Sequence, residues 1–375
     1  MNQSGLQLRT RITDDNKLTL WLEEVAVAQP GPDEVLVRVD AAPINPSDLG
    51  LLFGPADMST AKQTGSAERP VITAEIPAGR LGMLQARIGK ALAAGNEGAG
   101  EVIAAGSSAA AQALLGKTVG VIGGEMYAQY RCVNVASCLP LQPGTSAIEA
   151  ASCFVNPMTA LGMLETLRRE GHTALVHTAA ASNLGQMLNR LCQNEGIPLV
   201  NIVRKAEQAE LLKAMGAQYV LDSSAEDFKA QLNAALAATD ASLVFDAIGG
   251  GSLVSEILAG MESVASSKMT EYNRYGSTTL KQAYIYGGLD TSPTVLKRNF
   301  GFAFSVGGWL LFPFLQKLGA ARVAELKARV AAEIKSTFAS QYNQHVSLAG
   351  ALSLAAISSY NKRATGEKYL ILPHR

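Results

Sequence analysis

The chain has 375 residues, 48% of them hydrophobic, and its 32 Lys+Arg balance 32 Asp+Glu. That length suggests two domains with a sizeable buried core, and the even charge leaves no global field to attract nucleic acid or an anionic membrane surface. Cys132, Cys138, Cys153 and Cys192 show no paired metal-ligand spacing, and scattered thiols in a large chain suit a reducing cytoplasm.

The opening MNQSGLQLRTRI lacks the basic-then-apolar order of a signal peptide. Residues 18–40 alternate apolar and polar around the turn Gln29-Pro30-Gly31-Pro32, the pattern of antiparallel strands joined by a loop. Ala42-Pro43-Ile44-Asn45-Pro46-Ser47-Asp48 then fixes a loop leading into a helical turn. Residues 55–94 show no clear strand pattern and read as an insertion covering the substrate entrance, with a helix expected over 80–94 through Leu81, Leu84, Ile88 and Leu92. β character returns at Gly95-Asn96-Glu97-Gly98-Ala99-Gly100 and continues through 118–122 and 127–133. A mostly β domain is therefore expected over 1–153.

From residue 174 the pattern changes. The apolar run 174–178, helical spacing of Met187, Leu188 and Leu191, and a second apolar run at 199–203 make a βαβ crossover. Between them Ala179, Ser182 and Gly185 set small residues at three-residue intervals, so that a backbone and a helix N-terminus beginning near Asn183 can approach a pyrophosphate. The competing reading is a helix packed closely on a strand for ordinary core reasons. About twenty residues beyond the turn, where an NAD site usually carries an acid, stand Arg204 and Lys205. Two cations suit a 2′-phosphate and hence NADPH; alternatively they are a solvated pair opening the next helix.

Alternation of helices (207–215, 225–238, and one from Ser252) with strands (219–221, 243–247, 282–286) predicts an α/β doubly wound parallel sheet over 154–312. Residues 300–315 form the most apolar stretch, but it is short for a bilayer and holds Gly307, Gly308 and Pro313, so interior packing is expected. Helices at 320–338 and 346–357 and a strand at 368–372 make a 313–375 tail that returns to the first domain.

Asn45-Pro46-Ser47-Asp48, Gly95-Asn96-Glu97-Gly98, Asn156-Pro157-Met158-Thr159-Ala160, the 182–185 turn and Asn201-Ile202-Val203-Arg204 occur in an order that resembles the medium-chain dehydrogenase/reductase superfamily. The resemblance is to its zinc-free quinone reductase and 2-enoyl thioester reductase branches, and it implies a Rossmann cofactor domain beside a GroES-like catalytic domain. It also implies a cytoplasmic homodimer that binds NADPH and a small electrophilic substrate. No histidine precedes His172 and Asn96 stands in the usual Gly-His-Glu, so no metal is expected.

The same resemblance puts Asn156 and Thr159 at the nicotinamide, Ser182, Asn183, Leu184 and Gly185 at the pyrophosphate, and Arg204 with Lys205 at the 2′-phosphate. Tyr286, Gly287 and Gly288 match a strand end beside the nicotinamide, and Trp309, Leu310 and Lys368 match further cofactor-proximal positions; Trp309 and Leu310 as core and Lys368 as a surface charge are the alternatives. Asn45 and Asp48 either orient the acceptor or cap their loop. The enoyl reductases carry a tyrosine after that loop, whereas this chain reads Phe53-Gly54-Pro55-Ala56-Asp57; Tyr127 is left as a proton donor or a folding residue. The reaction implied is hydride transfer from NADPH to a quinone or an α,β-unsaturated carbonyl. Its rivals are 2-enoyl thioester reduction, NADPH binding without turnover, and a metal-dependent alcohol dehydrogenase.

Overall fold

Alternating polarity in Ser4–Ile12 and Lys17–Ala26 buries Leu8, Ile12, Leu18 and Leu20 on one face of an antiparallel pair. The computed structural model describes residues 4–375, and the chain divides into two units, Met1–Val155 with Lys327–Arg375, and Asn156–Leu326.

The first unit holds two sheets. Residues 55–94 hold paired strands and no α-helix, contrary to the expected helix without strands. Asp57–Gly65 and Pro70–Glu75 form a hairpin that joins the first pair, giving the order Asp57–Gly65, Pro70–Glu75, Lys17–Ala26, Ser4–Ile12, Leu92–Ala93. Ile72 and Ala74 from this hairpin enter the main core; a fully buried Ile contributes about 1.5–3 kcal/mol. Ala78–Arg87 is 3-10 helix and Leu92–Ala93 pairs as strand, so no α-helix spans 80–94; the Leu81 side chain lies outside the described residues.

The second sheet is ordered Cys138–Pro140, Thr118–Ile122, Glu97–Ala105, Glu34–Pro43, Tyr369–Ile371, Gln344–Val346, with Tyr130–Asn134 also on Glu34–Pro43. Gly100 pairs with Val39 beside a register shift between Val39 and Ala41. A Cβ there would lie 1.9 Å from the Arg38 carbonyl oxygen, so only glycine permits the approach. The expected 346–357 helix is instead a strand at Gln344–Val346 and two short helices, Leu348–Ala351 and Leu354–Asn361. Ser347 and Ser353 each accept a backbone N–H at a helix start, and two such caps so close together break the run.

The other unit is a six-stranded parallel sheet ordered Tyr219–Asp222, Leu199–Val203, Leu175–Thr178, Leu243–Asp246, Lys281–Ile285, Phe304–Gly308. Numbered along the chain this is 3-2-1-4-5-6, the doubly wound Rossmann order, whose direction reverses beside Leu175–Thr178. Helices Asn183–Glu195, Ala206–Ala214, Phe228–Thr239 and Leu253–Ser267 connect the strands. Residues 300–315 are not uniformly interior: Phe300 is buried, but Phe302, Leu310 and Phe312 are 76%, 65% and 57% exposed, because this stretch supplies the edge strand Phe304–Gly308, which has no neighbour on its outer side.

One charged pair is sealed inside this unit. The Lys281 ammonium, fully buried, donates to Glu262 and to Ser277 Oγ. Glu262 also accepts from Ser277 N, Ser277 Oγ and Ser266 Oγ. Burial works to raise its pKa, but the Lys281 and serine donors prevail and bring it down to about 2.

Candidate active site

In the Rossmann unit the strand Leu175–Thr178 ends on Ala179, which takes a left-handed φ of 52°. Ser182 caps the following helix, its Oγ accepting from Gly185 N at 3.2 Å. A Cβ on Gly185 would stand 2.1 Å from the Ala180 carbonyl oxygen, so the helix sits against the turn in a way a side chain would prevent. Ser182 N donates to the Ala179 carbonyl, and small residues bring the turn and the positive helix end close together beside the strand-order reversal. Asn183 is half-buried and Leu184 buried at this first turn. Arg204 and Lys205 follow the adjacent strand with both side chains exposed. Lys205 is the N-cap of Ala206–Ala214 and makes no side-chain cap bond.

The strand ends around the reversal are tied by residues that the sequence reading passed over. Asp246 accepts from Thr178 Oγ1 at 2.7 Å, Gly249 N at 2.7 Å and Ile248 N at 3.2 Å, and Thr178 Oγ1 accepts from Ala247 N at 2.8 Å. His177 Nε2 lies 2.6 Å from the Tyr286 hydroxyl, the rings stacked 5.8 Å apart. Burial lowers the His177 pKa to about 3, so the ring is neutral at physiological pH. Polar residues at the C-terminal ends of otherwise apolar strands were the available signal. Gly287 and Gly288 extend from Tyr286 at that strand end. Asn156 and Thr159, both buried, occupy the first turn of Val155–Arg169.

The two adjacent candidates in the apolar stretch separate. Trp309 is buried, its indole N–H donating to Thr166 Oγ1 at 3.1 Å and its ring edge-on to Phe245. Leu310 points outward.

The first unit gathers a buried polar cluster. Asp48 accepts from Asn45 N and Asn96 N, each at 2.8 Å, and burial pushes its pKa up to about 7 against those donors. Tyr127 is fully buried and its hydroxyl donates to the Pro43 carbonyl at 3.0 Å; burial first, then Asp48, raises its pKa well above the usual tyrosine value. Asn45 Nδ2 donates to Glu97 Oε1 at 2.8 Å, while Glu97 Oε2 accepts from Phe154 N and Val155 N, each at 2.8 Å. Glu97 therefore holds the start of the helix carrying Asn156 and Thr159. Phe53, in the 53–57 stretch that holds no tyrosine, is buried and stacks on Tyr360 at 5.8 Å.

Lys368 joins the same cluster. Its half-buried ammonium donates to Ser152 Oγ at 2.8 Å, and Tyr342 Oη donates to that same oxygen at 2.9 Å. Burial lowers the Lys368 pKa to about 8, with the charges of Glu97 and Asp48 opposing. Among the described residues no group of three or more His, Cys, Asp or Glu side chains converges as metal ligands, and no helix is long and apolar enough to cross a membrane.

No protein-family profile matches the chain. It is 28% identical over 216 residues to the mitochondrial enoyl-[acyl-carrier-protein] reductase of Caenorhabditis elegans, covering 56% of this chain and 54% of that protein. To prostaglandin reductase-3 of Bos taurus it is 32% identical over 135 residues, 36% of this chain and 35% of that one. The chain spans about half the length, or less, of these relatives. A crystal structure of a putative NADPH:quinone reductase from Mesorhizobium loti superposes with TM-score 0.74 at 26% identity, covering 100% of this chain and 99% of that one. The complex of Etr1p with NADP and crotonyl-CoA superposes with TM-score 0.68 at 17% identity over 99% and 100% of the two chains, a likeness of fold alone. In sequence and in fold the chain resembles the zinc-free reductases of the medium-chain dehydrogenase/reductase superfamily.

Proposed function

We propose that the chain is an NADPH-dependent oxidoreductase that passes hydride to a quinone or to an alkene conjugated with a carbonyl, without zinc. The observation that carries this reading is the Ala179–Gly185 turn, set at the reversal point of a Rossmann sheet and followed one strand later by exposed Arg204 and Lys205. NADPH, once bound, supplies the hydride. Ser182, Asn183, Leu184 and Gly185 line its pyrophosphate at the positive end of the helix, and Arg204 grips the 2′-phosphate through a planar pair of donors with Lys205 adding charge. Asn156, Thr159, Tyr286, Gly287, Gly288, Leu310 and Lys368 are assigned to the nicotinamide side, and Trp309 to packing beneath it. Asn45, Asp48 and Tyr127 hold the catalytic loop rather than exchange protons, since the Asp48 oxygens and the Tyr127 hydroxyl are committed to backbone groups.

The second reading, 2-enoyl thioester reduction, is favoured by the relatives named enoyl-[acyl-carrier-protein] reductase and opposed by Ala56, in a stretch that holds no tyrosine. NADPH oxidation by the purified protein is expected with a quinone and is to be measured in parallel with a medium-length 2-enoyl-CoA. Turnover of the thioester alone would move the assignment to the second reading. Tight NADPH binding with no oxidation by either acceptor would sink both and leave a non-catalytic binding protein.

Arg204→Ala is expected to weaken NADPH binding about 10–100-fold, the scale of a lost charge-assisted pair, and NADH binding less than threefold. Equal losses measured by titration calorimetry would remove Arg204 from the 2′-phosphate.

The assembly proposed is a homodimer, supported by the edge strand Phe304–Gly308, paired on one side only among the described residues, and the exposed Phe302 and Phe312 around it. Light scattering that returns the mass of one chain removes it. The four free cysteines support a reducing compartment, and the cytoplasm is the one proposed.

A further inference from the structure

Three polar side chains stand in the layer between the parallel sheet of the Rossmann unit and the helix Asn183–Glu195. His177 and Asn201 are register partners on the neighbouring strands Leu175–Thr178 and Leu199–Val203, so their side chains leave the same face of the sheet, with the two backbones about 5 Å apart. Asn189 reaches them from the helix, and Asn201 Nδ2 lies 3.5 Å from Asn189 Oδ1, longer than an ordinary amide hydrogen bond of about 2.9 Å. Each of the three residues is no more than 2% exposed. Their strand neighbours Val176, Val200 and Ile202 face the other way and pack in an apolar core.

Each of the three also carries a buried atom without a hydrogen-bond partner among the described residues: His177 Nδ1, Asn201 Oδ1 and Asn189 Nδ2. The protons on these atoms follow from the far side of the imidazole. Tyr286 Oη lies 2.6 Å from His177 Nε2, and burial raises the tyrosine pKa above its usual value, so the hydroxyl keeps its proton and donates it to Nε2. Burial also keeps the imidazole neutral, with a pKa of about 3, and its one proton therefore sits on Nδ1. The unpaired set is two donors, His177 Nδ1–H and an Asn189 N–H, and one acceptor, Asn201 Oδ1. Turning both amides over exchanges their O and N but again leaves two donors and one acceptor. An anion would offer no donor to the acceptor, and a metal ion no acceptor to the donors. Water offers both, and a buried water typically makes about three hydrogen bonds.

We propose that His177, Asn189 and Asn201 bind one internal water, which accepts from His177 and from one amide and donates to the other. The water ties the helix Asn183–Glu195, whose first turn carries Gly185, to the first two strands of the sheet, and it fixes the imidazole that receives the Tyr286 hydroxyl. The site lies wholly within the Rossmann unit. It requires neither cofactor nor substrate, so it stands or falls independently of the reductase reading.

The test uses the full chain without ligand. A crystal structure fine enough to show ordered water is expected to place one water about 2.7–3.2 Å from His177 Nδ1 and from both amides. In protein carrying isotope-labelled histidine, of which the chain has 4, nuclear magnetic resonance is expected to show His177 as the Nδ1–H tautomer with a cross-peak from that proton to a long-lived water. In Asn201→Leu the cross-peak is expected to vanish. Hydrogen-exchange protection of the amides at 188–192 falls there about tenfold, the scale of one lost hydrogen bond, while that of the helix Leu253–Ser267 is unchanged. His177 Nδ1 bonded directly to a protein atom, an Nε2–H tautomer, or no water within reach of Nδ1 and an amide overturns the proposal. Protection in Asn201→Leu that is unchanged, or lost equally in both helices, overturns the tie. Should Asn201→Leu fail to fold, the two wild-type measurements decide by themselves.

Discussion

Gly185→Val is expected to raise the dissociation constant for NADPH about 100-fold while the protein remains folded. The Cβ that any substitution adds lies 2.1 Å from the Ala180 carbonyl oxygen and 2.6 Å from its carbon. These are backbone atoms with no flexible end to swing aside, so the helix beginning at Asn183 must retreat from the turn. Overpacking of this kind costs about 1–3 kcal/mol, and the retreat also spoils the alignment of the N–H groups on the pyrophosphate. A tenfold change in affinity corresponds to about 1.4 kcal/mol, so two such steps are within the expected range. Titration calorimetry supplies the affinity and thermal unfolding the control. Binding within threefold of the wild type would show that the phosphates do not sit on this turn.

Lys281→Met is expected to destabilise the protein by about 3–5 kcal/mol, the usual consequence of removing one member of a buried pair and stranding the other. Glu262 would keep the donors Ser277 N, Ser277 Oγ and Ser266 Oγ but lose its countercharge. The wild-type pair also carries a pH signature. With its pKa held at about 2 in the fold, below the ordinary glutamate value, Glu262 contributes stability that is complete above the unfolded value and drains away as pH falls toward 2. In the variant, with the Lys281 contribution to that depression gone, the acid-side loss is smaller. Urea unfolding of the Rossmann unit's fluorescence at pH 7 and pH 4 measures both effects. Glu262→Gln added to Lys281→Met should recover at least half of the lost stability, since it removes the stranded charge and keeps an acceptor. A single variant as stable as wild type would mean that water or a neighbouring group satisfies Glu262 after all.

Legibility from sequence followed how local each feature is. Leu175–Thr178 and Leu199–Val203 are buried on both faces, so they read as unbroken apolar runs, and Ser182 and Gly185 declare the helix start between them. Asp57–Gly65 escaped notice because most of its residues are exposed: a strand with no buried face leaves no alternation to detect. The 300–315 stretch misled for the opposite reason. Composition reports how apolar a segment is and not which side of an edge strand it lines, so Phe302 and Phe312 read as interior.

The candidate site divides in the same manner. The small-residue turn at 179–185 and the exposed Arg204-Lys205 pair were readable because each is a few consecutive residues. His177 and Tyr286 are 109 residues apart, Thr178 and Asp246 are 68 apart, and Lys368 and Ser152 are 216 apart; single residues at those separations carry no mutual signal. What the sequence by itself determined is the βαβ core, its tight small-residue turn and its cationic strand end, because backbone hydrogen bonding and helix capping act over a handful of residues. What only the tertiary structure decided is the pairing of buried polar groups, among them Glu97 on the start of the Val155–Arg169 helix and Lys368 on Ser152. A buried donor or charge must find its partner wherever the folded chain brings one, and that choice is made by packing in three dimensions rather than by neighbours in the chain.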